Sequence, residues 1–451
     1  MAESFASSST QTGHSVRPPA AVPVSLRTLG CKVNQVESET IASSLLGMGC
    51  VLTAEDEARI VVVNSCTVTA EADRKVRKIV RHALQSRMAP VVVVTGCLAA
   101  LDAEGITALG ERVMVEPDSS RVGERVARLL GDVANVGGAA GADTGAGAVD
   151  IRPPAQTVFH TRAMVKVQDG CDAFCAYCVV PFARGVPRSV AIGDVIGRVR
   201  QLVRAGTREI VLTGINIGKY DDAPGGLAGL YRAVAETGIP RIRLSSIEPL
   251  DLDDELLAAL SETPATCAHL HVPLQSGSDA VLRRMGRGYT AHEYEARVAA
   301  AREALPGLAV TTDVIAGLPG ESVAEAAATR QFCEHIGFSK LHVFRYSARA
   351  GTVAAQMDGQ VDPGERSRRA RGLREVGLRL RDAALGAMVG AHAEVLVEET
   401  TVDDTVRRRR IGTTRDYARV EIERSEACAG DIVEVEIVGR GVDAELLGRA
   451  L

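Results

Sequence analysis

The chain has 451 residues, 46% of them apolar and 24% charged, the balance of an ordinary globular protein of about three domains; a wholly disordered chain is excluded. Its 52 basic and 57 acidic side chains leave a net charge of -5, which excludes a broadly basic nucleic-acid coat and leaves any RNA contact to local patches. Aromatic residues make up 3% and tryptophan is absent, so broad base-stacking platforms are excluded too.

The start, MAESFASSSTQTGHSVRPPA, is rich in Ser and Thr and lacks an apolar segment. Residues 1–22 are expected to form a disordered tail, not a secretory signal. No apolar run approaches the ~20 residues of a membrane helix, so the expected location is the cytoplasm, without membrane contact. In that reducing compartment the ten cysteines favour metal or redox chemistry over disulfides.

Three short β-branched runs follow, VSLRTLGC (24–31), RIVVVNSC (59–66) and VVVVTGC (91–97), with amphipathic helical patterns between them. They predict an open parallel α/β sheet over 23–135. The Gly/Ala-rich stretch at 131–150 predicts a linker, bounded here as 136–156. Strand patterns then recur at 163–169, 209–214, 241–246, 268–272, 308–317 and 340–346, with helical stretches such as 192–205 and 321–336 between them. Six βα units at this spacing predict a partial (β/α)6 barrel of parallel strands over 157–388, with ligands at the C-terminal strand ends. An Arg-rich helix pattern covers 365–388. Runs at 393–400, 417–424 and 431–439 alternate apolar and polar residues, predicting a small antiparallel β-barrel over 389–451.

The barrel's first strand runs into GCDAFCAYC, which spaces Cys171, Cys175 and Cys178 as C-x3-C-x2-C. A [4Fe–4S] cluster takes one thiolate per iron, so three cysteines leave one iron open for a substrate. A zinc knuckle is the competing reading, but it needs a fourth ligand and no His lies close in sequence. Cys31, Cys66 and Cys97 each end a predicted parallel strand, in Gly-Cys or Ser-Cys steps, where the carboxyl ends of adjacent strands converge. Buried cysteines are common at such places, yet the threefold recurrence points to a second three-ligand site. Cys50, Cys267, Cys333 and Cys428 have no such setting and are expected to be packing residues.

Among polar groups at strand ends, Thr213, Gly214, Asn216, Ser245, Ser246, Gln275 and Gly317 are the cofactor-contact candidates, with an ordinary tight turn as the alternative for each glycine. Gly317 sits with Pro319 and Gly320. Asp313 lies in an apolar strand, so it is either hydrogen-bonded inside the barrel or a site residue. His269 and His271 alternate with apolar neighbours and read as barrel packing rather than metal ligands. Arg366, Arg368, Arg369, Arg371 and Arg374, then Arg407 to Arg410 on a predicted turn, are the candidates for RNA phosphates, against a merely solvated face.

Taken together, LGCKVNQVESE (29–39), NSCTVTAEADRK (64–75), TGCLA (95–99), GCDAFCAYCVVPFARG (170–185), LSSIEP (244–249), HVPLQSGSDAVLRRMGRGYT (271–290), DVIAGLPGE (313–321) and YSARAGT (346–352) make the chain resemble the tRNA methylthiotransferases over 24–451. The resemblance implies an N-terminal methylthiotransferase domain, a radical S-adenosylmethionine barrel and a TRAM-like RNA-binding β-barrel. It also implies two [4Fe–4S] clusters, the auxiliary one on Cys31, Cys66 and Cys97 and the radical one on Cys171, Cys175 and Cys178, with S-adenosylmethionine on the open iron of the latter. LGCKVNQ and SSIEP resemble the branch acting on N(6)-threonylcarbamoyladenosine. The isopentenyladenosine branch usually has Gln-Met-Asn where Lys32, Val33 and Asn34 stand, and the ribosomal-protein branch Pro-Lys-Asn. The implied activity is insertion of a methylthio group at C2 of the adenosine 3′ of the anticodon. Implied partners are the tRNA anticodon loop, an electron donor such as a flavodoxin or ferredoxin, and a sulfur source. Alternatives are the two other substrates, or an iron–sulfur RNA-binding or electron-transfer protein, which the three-Cys pattern disfavours because electron carriers usually close their clusters with four Cys.

Overall fold

The computed structural model describes residues 21–136, 161–402, 408–423, 425–442 and 444–451. The expected tail and linker fall outside the described residues except at 21–22 and 136. The N-terminal unit is a five-stranded parallel sheet in the order Val51–Leu52, Pro23–Thr28, Ile60–Ser65, Val91–Gly96, Val113–Val115. The two edge strands are too short to leave a pattern, and only the three central ones were predictable. IVVVNS and VVVVTG are buried on both faces because helices cover both. Val61, Val63, Val92 and Val94 pack with Val76, Val80 and Ala83 on one side. Val24, Ile60, Val62 and Val93 pack with Ile41, Leu45 and Val126 on the other. Each such side chain contributes about 1.5–3 kcal/mol on burial. The register pairs Thr28 with Asn64, Asn64 with Thr95, and Ser65 with Gly96, so the three central strands end at one level and the cysteines follow there.

The central unit has two three-stranded parallel sheets. One has the order Arg241–Leu244, Glu209–Thr213, Ala163–Lys166, and the other His269–His271, Ala309–Ala316, Lys340–Arg345. Parallel bridges from Ile242 to Thr266 and from Ser246 to His271 join them. The result is the predicted six-stranded partial barrel. The helix Lys32–Gly47 of the first unit lies against the strand Ala163–Lys166, with Lys166 Nζ 3.9 Å from Glu37.

The C-terminal barrel is closed, in the order His392–Val402, Arg408–Thr414, Arg419–Glu423, Leu446–Ala450, Ile432–Gly439. It differs from the expectation in two ways. It is not wholly antiparallel, because Arg419–Glu423 and Leu446–Ala450 pair in parallel. The arginines expected on a turn lie in a strand: Arg407 is outside the described residues, but 408–414 pairs with both neighbours. Arg410 is buried and donates from Nε to the carbonyl of Ala427 at 2.8 Å. Consecutive arginines hide the two-residue period, and a long aliphatic stem lets one of them face inward.

The Arg-rich helix spans Pro363–Gly386. Arg366 turns inward to the carbonyl of Tyr346 (2.9 Å), and Arg369 pairs with Glu321 (3.1 Å) and Glu365 (2.7 Å). Those two hold the helix to the barrel, whereas Arg368, Arg371 and Arg374 are exposed.

Candidate functional site

Cys31, Cys66 and Cys97 follow strand ends that are held together by a buried amide pair. Asn34 Nδ2 donates to Asn64 Oδ1 (2.9 Å), and Asn64 Nδ2 donates to the carbonyl of Asn34 (2.9 Å) and to Ser38 Oγ (3.1 Å). Ser65 Oγ accepts from the backbone of Leu98 (3.2 Å) and Ala99 (3.3 Å), capping the short helix that Cys97 opens. Asn34 Oδ1 in turn accepts from the backbone N–H and the thiol of Cys31. The Gly-Cys steps now have a cause. Gly96 has φ +85° and a Cβ there would stand 2.5 Å from Asn64 Oδ1 and from the Ser65 carbonyl. Gly30 has φ +128° and a Cβ there would meet Cys66 Cβ at 2.9 Å. Only glycine lets the strand ends close on the amide pair.

Cys66 and Cys97 are buried and Cys31 is exposed. Burial pushes the Cys97 thiol up to about 11, against the pull of Arg184, and the Cys31 and Cys66 sulfurs push it further. Burial likewise raises Cys66, opposed by the backbone N–H groups of Val68 and Thr67, and Cys31 adds to the rise. The three sulfurs thus share one electrostatic neighbourhood. Among the described residues no three Cys, His, Asp or Glu side chains crowd a single ion position. In a cubane each iron takes its own thiolate, so crowding on one point is not required.

The second set lies on the loop after the strand Ala163–Lys166. Gly170 turns it at φ +78°, and Cys171 N donates to the Gly185 carbonyl (3.0 Å). Ala176 N donates to Met285 O (2.8 Å) and Cys178 N to Cys175 O (2.9 Å). Backbone N–H groups of Ala173 and Val180 reach the Cys171 and Cys178 sulfurs at 3.5 Å. Burial pushes Cys178 up to about 12 and also raises Cys171; Cys175 raises both. Arg287 donates from Nη1 to Cys175 Sγ (3.4 Å) and pairs with Glu248. Thiols with raised proton affinity, met by N–H donors and a cation, are suited to become thiolates only when a cation such as iron is supplied.

The cofactor-contact candidates divide. Thr213 and Asn216 are buried beside the cysteine loop, where Asn216 interacts with Cys171. Asn216 Oδ1 and Ser245 Oγ are buried acceptors without a protein partner, which fits a polar cofactor bound over the strand ends. Gln275 is buried with φ +65°, and Ser246 is exposed. Gly214 and Gly317 have structural reasons. A Cβ at Gly214 would lie 2.9 Å from the Gln168 carbonyl, and one at Gly317 would collide with the Arg366 side chain. Buried Gln168 ties the two loops together: Oε1 accepts from the N–H of Asn216 (2.8 Å) and Ile215 (3.1 Å), and Nε2 donates to the carbonyls of Gly170 (2.8 Å) and Asp169 (2.9 Å).

One side chain ties the first set to the segment that carries the second. Arg184, at the end of the second cysteine motif, donates from Nε to Cys97 Sγ (3.2 Å) and pairs through Nη1 with Glu37 (2.7 Å) and Asp169 (3.1 Å). A second clasp links Arg349 to Asp73 (2.6 Å) and Thr67 (2.5 Å). The two sets therefore flank one junction between the sheet and the barrel. Arg184, Arg287, Glu248 and Gln168 carry no signal of their own in the sequence, although the first three fall within the runs that carry the resemblance.

Comparison with known proteins gives the family of the chain. Residues 165–333 match the radical SAM superfamily, and residues 23–115 match an uncharacterised protein family, UPF0004. The chain is 36% identical to the threonylcarbamoyladenosine tRNA methylthiotransferase MtaB of Bacillus subtilis, over 93% of this chain and 94% of that one. It is 33% identical to the protein of the same name from Thermotoga maritima, over 93% and 99%. It is 36% identical to a tRNA-2-methylthio-N(6)-dimethylallyladenosine synthase of Parafrankia, over 93% and 88%. The structure of the radical S-adenosylmethionine methyltransferase TsrM from Kitasatospora setae shares the fold, with a TM-score of 0.51 at 16% identity, over 74% of this chain and 77% of that one. No helix among the described residues is long and apolar enough to cross a membrane. Radical SAM proteins use a [4Fe–4S] cluster with S-adenosylmethionine, and by its full-length relatives this chain belongs to the tRNA methylthiotransferase family.

Proposed function

We propose that the protein inserts a methylthio group at C2 of N(6)-threonylcarbamoyladenosine, the adenosine 3′ of the tRNA anticodon. The observation that supports this reading is the Arg184 contact, which ties Cys97 of the sheet to the segment following the second cysteine motif of the barrel. In this reading Cys31, Cys66 and Cys97 hold one [4Fe–4S] cluster and Cys171, Cys175 and Cys178 a second. When bound, these clusters and S-adenosylmethionine supply what acid–base chemistry lacks, removal of hydrogen from an unactivated ring C–H and delivery of sulfur in its place.

The chain's own residues bind, orient and shield. Arg287 and Arg184 each place an N–H on one ligand sulfur, which steadies the thiolate and tunes the site. Asn216 and Ser245 offer acceptors to the cofactor. Val281, Met285, Leu318 and Tyr346 pack with Ala176 beside the second triad and keep water from it. The barrel over 389–451 holds the tRNA, and residues 23–135 and 157–388 form the two catalytic domains. An external one-electron donor and a sulfur source complete the set of partners, in the cytoplasm.

LGCKVNQ and SSIEP support the threonylcarbamoyladenosine branch, as do the two relatives named for that nucleoside. The Parafrankia relative keeps dimethylallyladenosine as the second reading. Mass spectrometry of tRNA nucleosides from a deletion strain separates them. Loss of the 2-methylthio form of threonylcarbamoyladenosine alone is expected; loss of the isopentenyl form would transfer the protein to the other branch.

A further inference from the structure

The helix Ala70–Leu84, which follows Cys66, carries AEADRKVRKIVRHAL. Its apolar side, Val76, Val80 and Ala83, packs on the valines of the sheet. The opposite side is basic. Arg74, Lys78 and Arg81 stand at i, i+4 and i+7, one line along a helix, with Lys75 and His82 beside it, and all five are exposed. From Arg74 to Leu101 the chain has no Asp or Glu, although its net charge is -5.

Two charged groups of the helix are used to hold it in place. Asp73 accepts from Arg349 (2.6 Å) and from Thr67 Oγ1 (2.8 Å), and Arg77 donates to the Gly105 carbonyl (3.0 Å) and pairs with Asp102. Thr69 caps the helix at Ala72 N (3.1 Å), and Ala70 N donates to Ser347 Oγ (3.1 Å). Ser347 and Arg349 belong to the loop that follows the barrel strand Lys340–Arg345, so the helix starts at the end of the barrel where ligands bind. From its second turn the basic line runs on for about 10 Å. None of the ion pairs among the described residues includes Arg74, Lys75, Lys78 or Arg81.

Stability does not account for the line. Like charges three or four residues apart cost about 0.2–0.5 kcal/mol per pair, and Arg74–Lys78 and Lys78–Arg81 are two such pairs. The helix dipole favours cations only in the last turn, at Arg81 and His82. A protein interface is built round apolar or aromatic anchors, and every exposed residue from Arg74 to His82 is basic. A row of cations without anchors fits a row of phosphates. We propose that the exposed side of the helix Ala70–Leu84 binds backbone phosphates of the tRNA anticodon stem-loop, so that the sheet unit holds the RNA together with the C-terminal barrel. The inference rests on the tRNA-modifying reading, whichever nucleoside is the target.

The test uses the holoenzyme and a fluorescein-labelled anticodon stem-loop RNA carrying threonylcarbamoyladenosine, with Kd read by anisotropy from about 50 to about 200 mM KCl. Each phosphate contact to a single strand adds about 0.7 to the slope of log Kd against log salt. Arg74→Gln/Lys78→Gln/Arg81→Gln should lower that slope by about 2, so that the salt rise weakens it about 20-fold less than wild type. The same loss of charge at exposed Arg200, Arg204 and Arg208, on and just after the helix Ile192–Arg204, should keep the wild-type slope. If the triple variant loses iron, Lys78→Gln alone decides, with an expected fall of about 0.7. An unchanged slope overturns the inference, and so does an equal fall in the Arg200, Arg204 and Arg208 variant, which would make the effect one of net charge. An unchanged slope with slower reduction by a flavodoxin also overturns it and assigns the helix to the electron donor. Wild-type protein that does not bind the stem-loop overturns the tRNA reading as well, whereas binding with an unchanged slope in the triple variant removes this inference alone.

Discussion

Arg184→Met is the most informative perturbation, because it keeps side-chain volume and removes one charge from the junction between the cysteine sets. The Arg184 side chain is 8% exposed and that of Glu37 is 7%. Removing one partner of a buried pair costs about 3–5 kcal/mol, since the other charge is left uncompensated. Lys166 stays 3.9 Å from Glu37 and 3.2 Å from Asp169, which places the loss at the lower end, about 3 kcal/mol. In units of about 150–250 residues each kcal/mol is about 2–4 °C, so the first calorimetric transition should fall by about 6–12 °C. The same substitution removes the N–H donor and the cation beside Cys97. A cluster on that triad should then become harder to reduce, because the added negative charge loses its stabilising partner. Differential scanning calorimetry and a redox titration followed by electron paramagnetic resonance check the two effects. A variant with an unchanged first transition and an unchanged midpoint potential refutes the bridge as the element that couples the units.

Gly96→Ala should cost about 1–2 kcal/mol for the left-handed backbone and a further ~1–3 kcal/mol for the collision with Asn64 and the Ser65 carbonyl, with loss of iron from the first triad; a wild-type urea midpoint argues against it. Anaerobically reconstituted protein should bind about eight iron per chain and Cys175→Ala about four, and equal iron in both removes the second triad from the ligand set. Cys333 is buried and its thiol is pushed up to about 12 by desolvation, whereas Cys428 is exposed; iodoacetamide at pH 8 should label Cys428 and spare Cys333 in the native protein, as peptide mass mapping will show. Burial alone would raise the Glu445 carboxyl, but hydrogen bonds from Arg381 and the Arg419 N–H hold it below its ordinary value. Its contribution is therefore complete above the unfolded value of about 4.3 and is lost as pH falls through the lower folded value. Docking of the C-terminal barrel on the helix Pro363–Gly386, followed by limited proteolysis, should weaken below about pH 4, and Glu445→Gln should remove that step.

The strand runs and the cysteine spacing were legible because they are local. A β-branched run ended by Gly-Cys specifies a buried strand and a close turn without reference to the rest of the chain, and the structure supplies the reason in the Asn34–Asn64 pair. C-x3-C-x2-C is legible for the same cause. What stayed hidden is long-range or masked by composition. Gln168 looks like any strand-end amide until the 213–216 loop is folded over it. Arg366 and Arg410 look like solvated charges until their stems are buried, and the strand Leu446–Ala450 is too short to show a period of two.

The hidden residues share a feature that bears on mechanism. Arg184 and Arg349 cross between the sheet and the barrel, and Arg241, Arg243 and Tyr417 cross between the barrel and the C-terminal unit. Each core is apolar and locally encoded, whereas each junction is made of cations placed on carboxylates, carbonyls or sulfur. Polar junctions of this kind add little net stability over a hydrophobic seam, but they fix register between units, which apolar contact does not do. If the two triads hold the two clusters proposed above, that register matters more to them than stability does. The cations at these joints therefore belong with the cysteines as determinants of geometry, and Tyr417, stacked on His269 at 4.6 Å between Arg162 and Arg243, ties the C-terminal barrel directly to the strands of the central one.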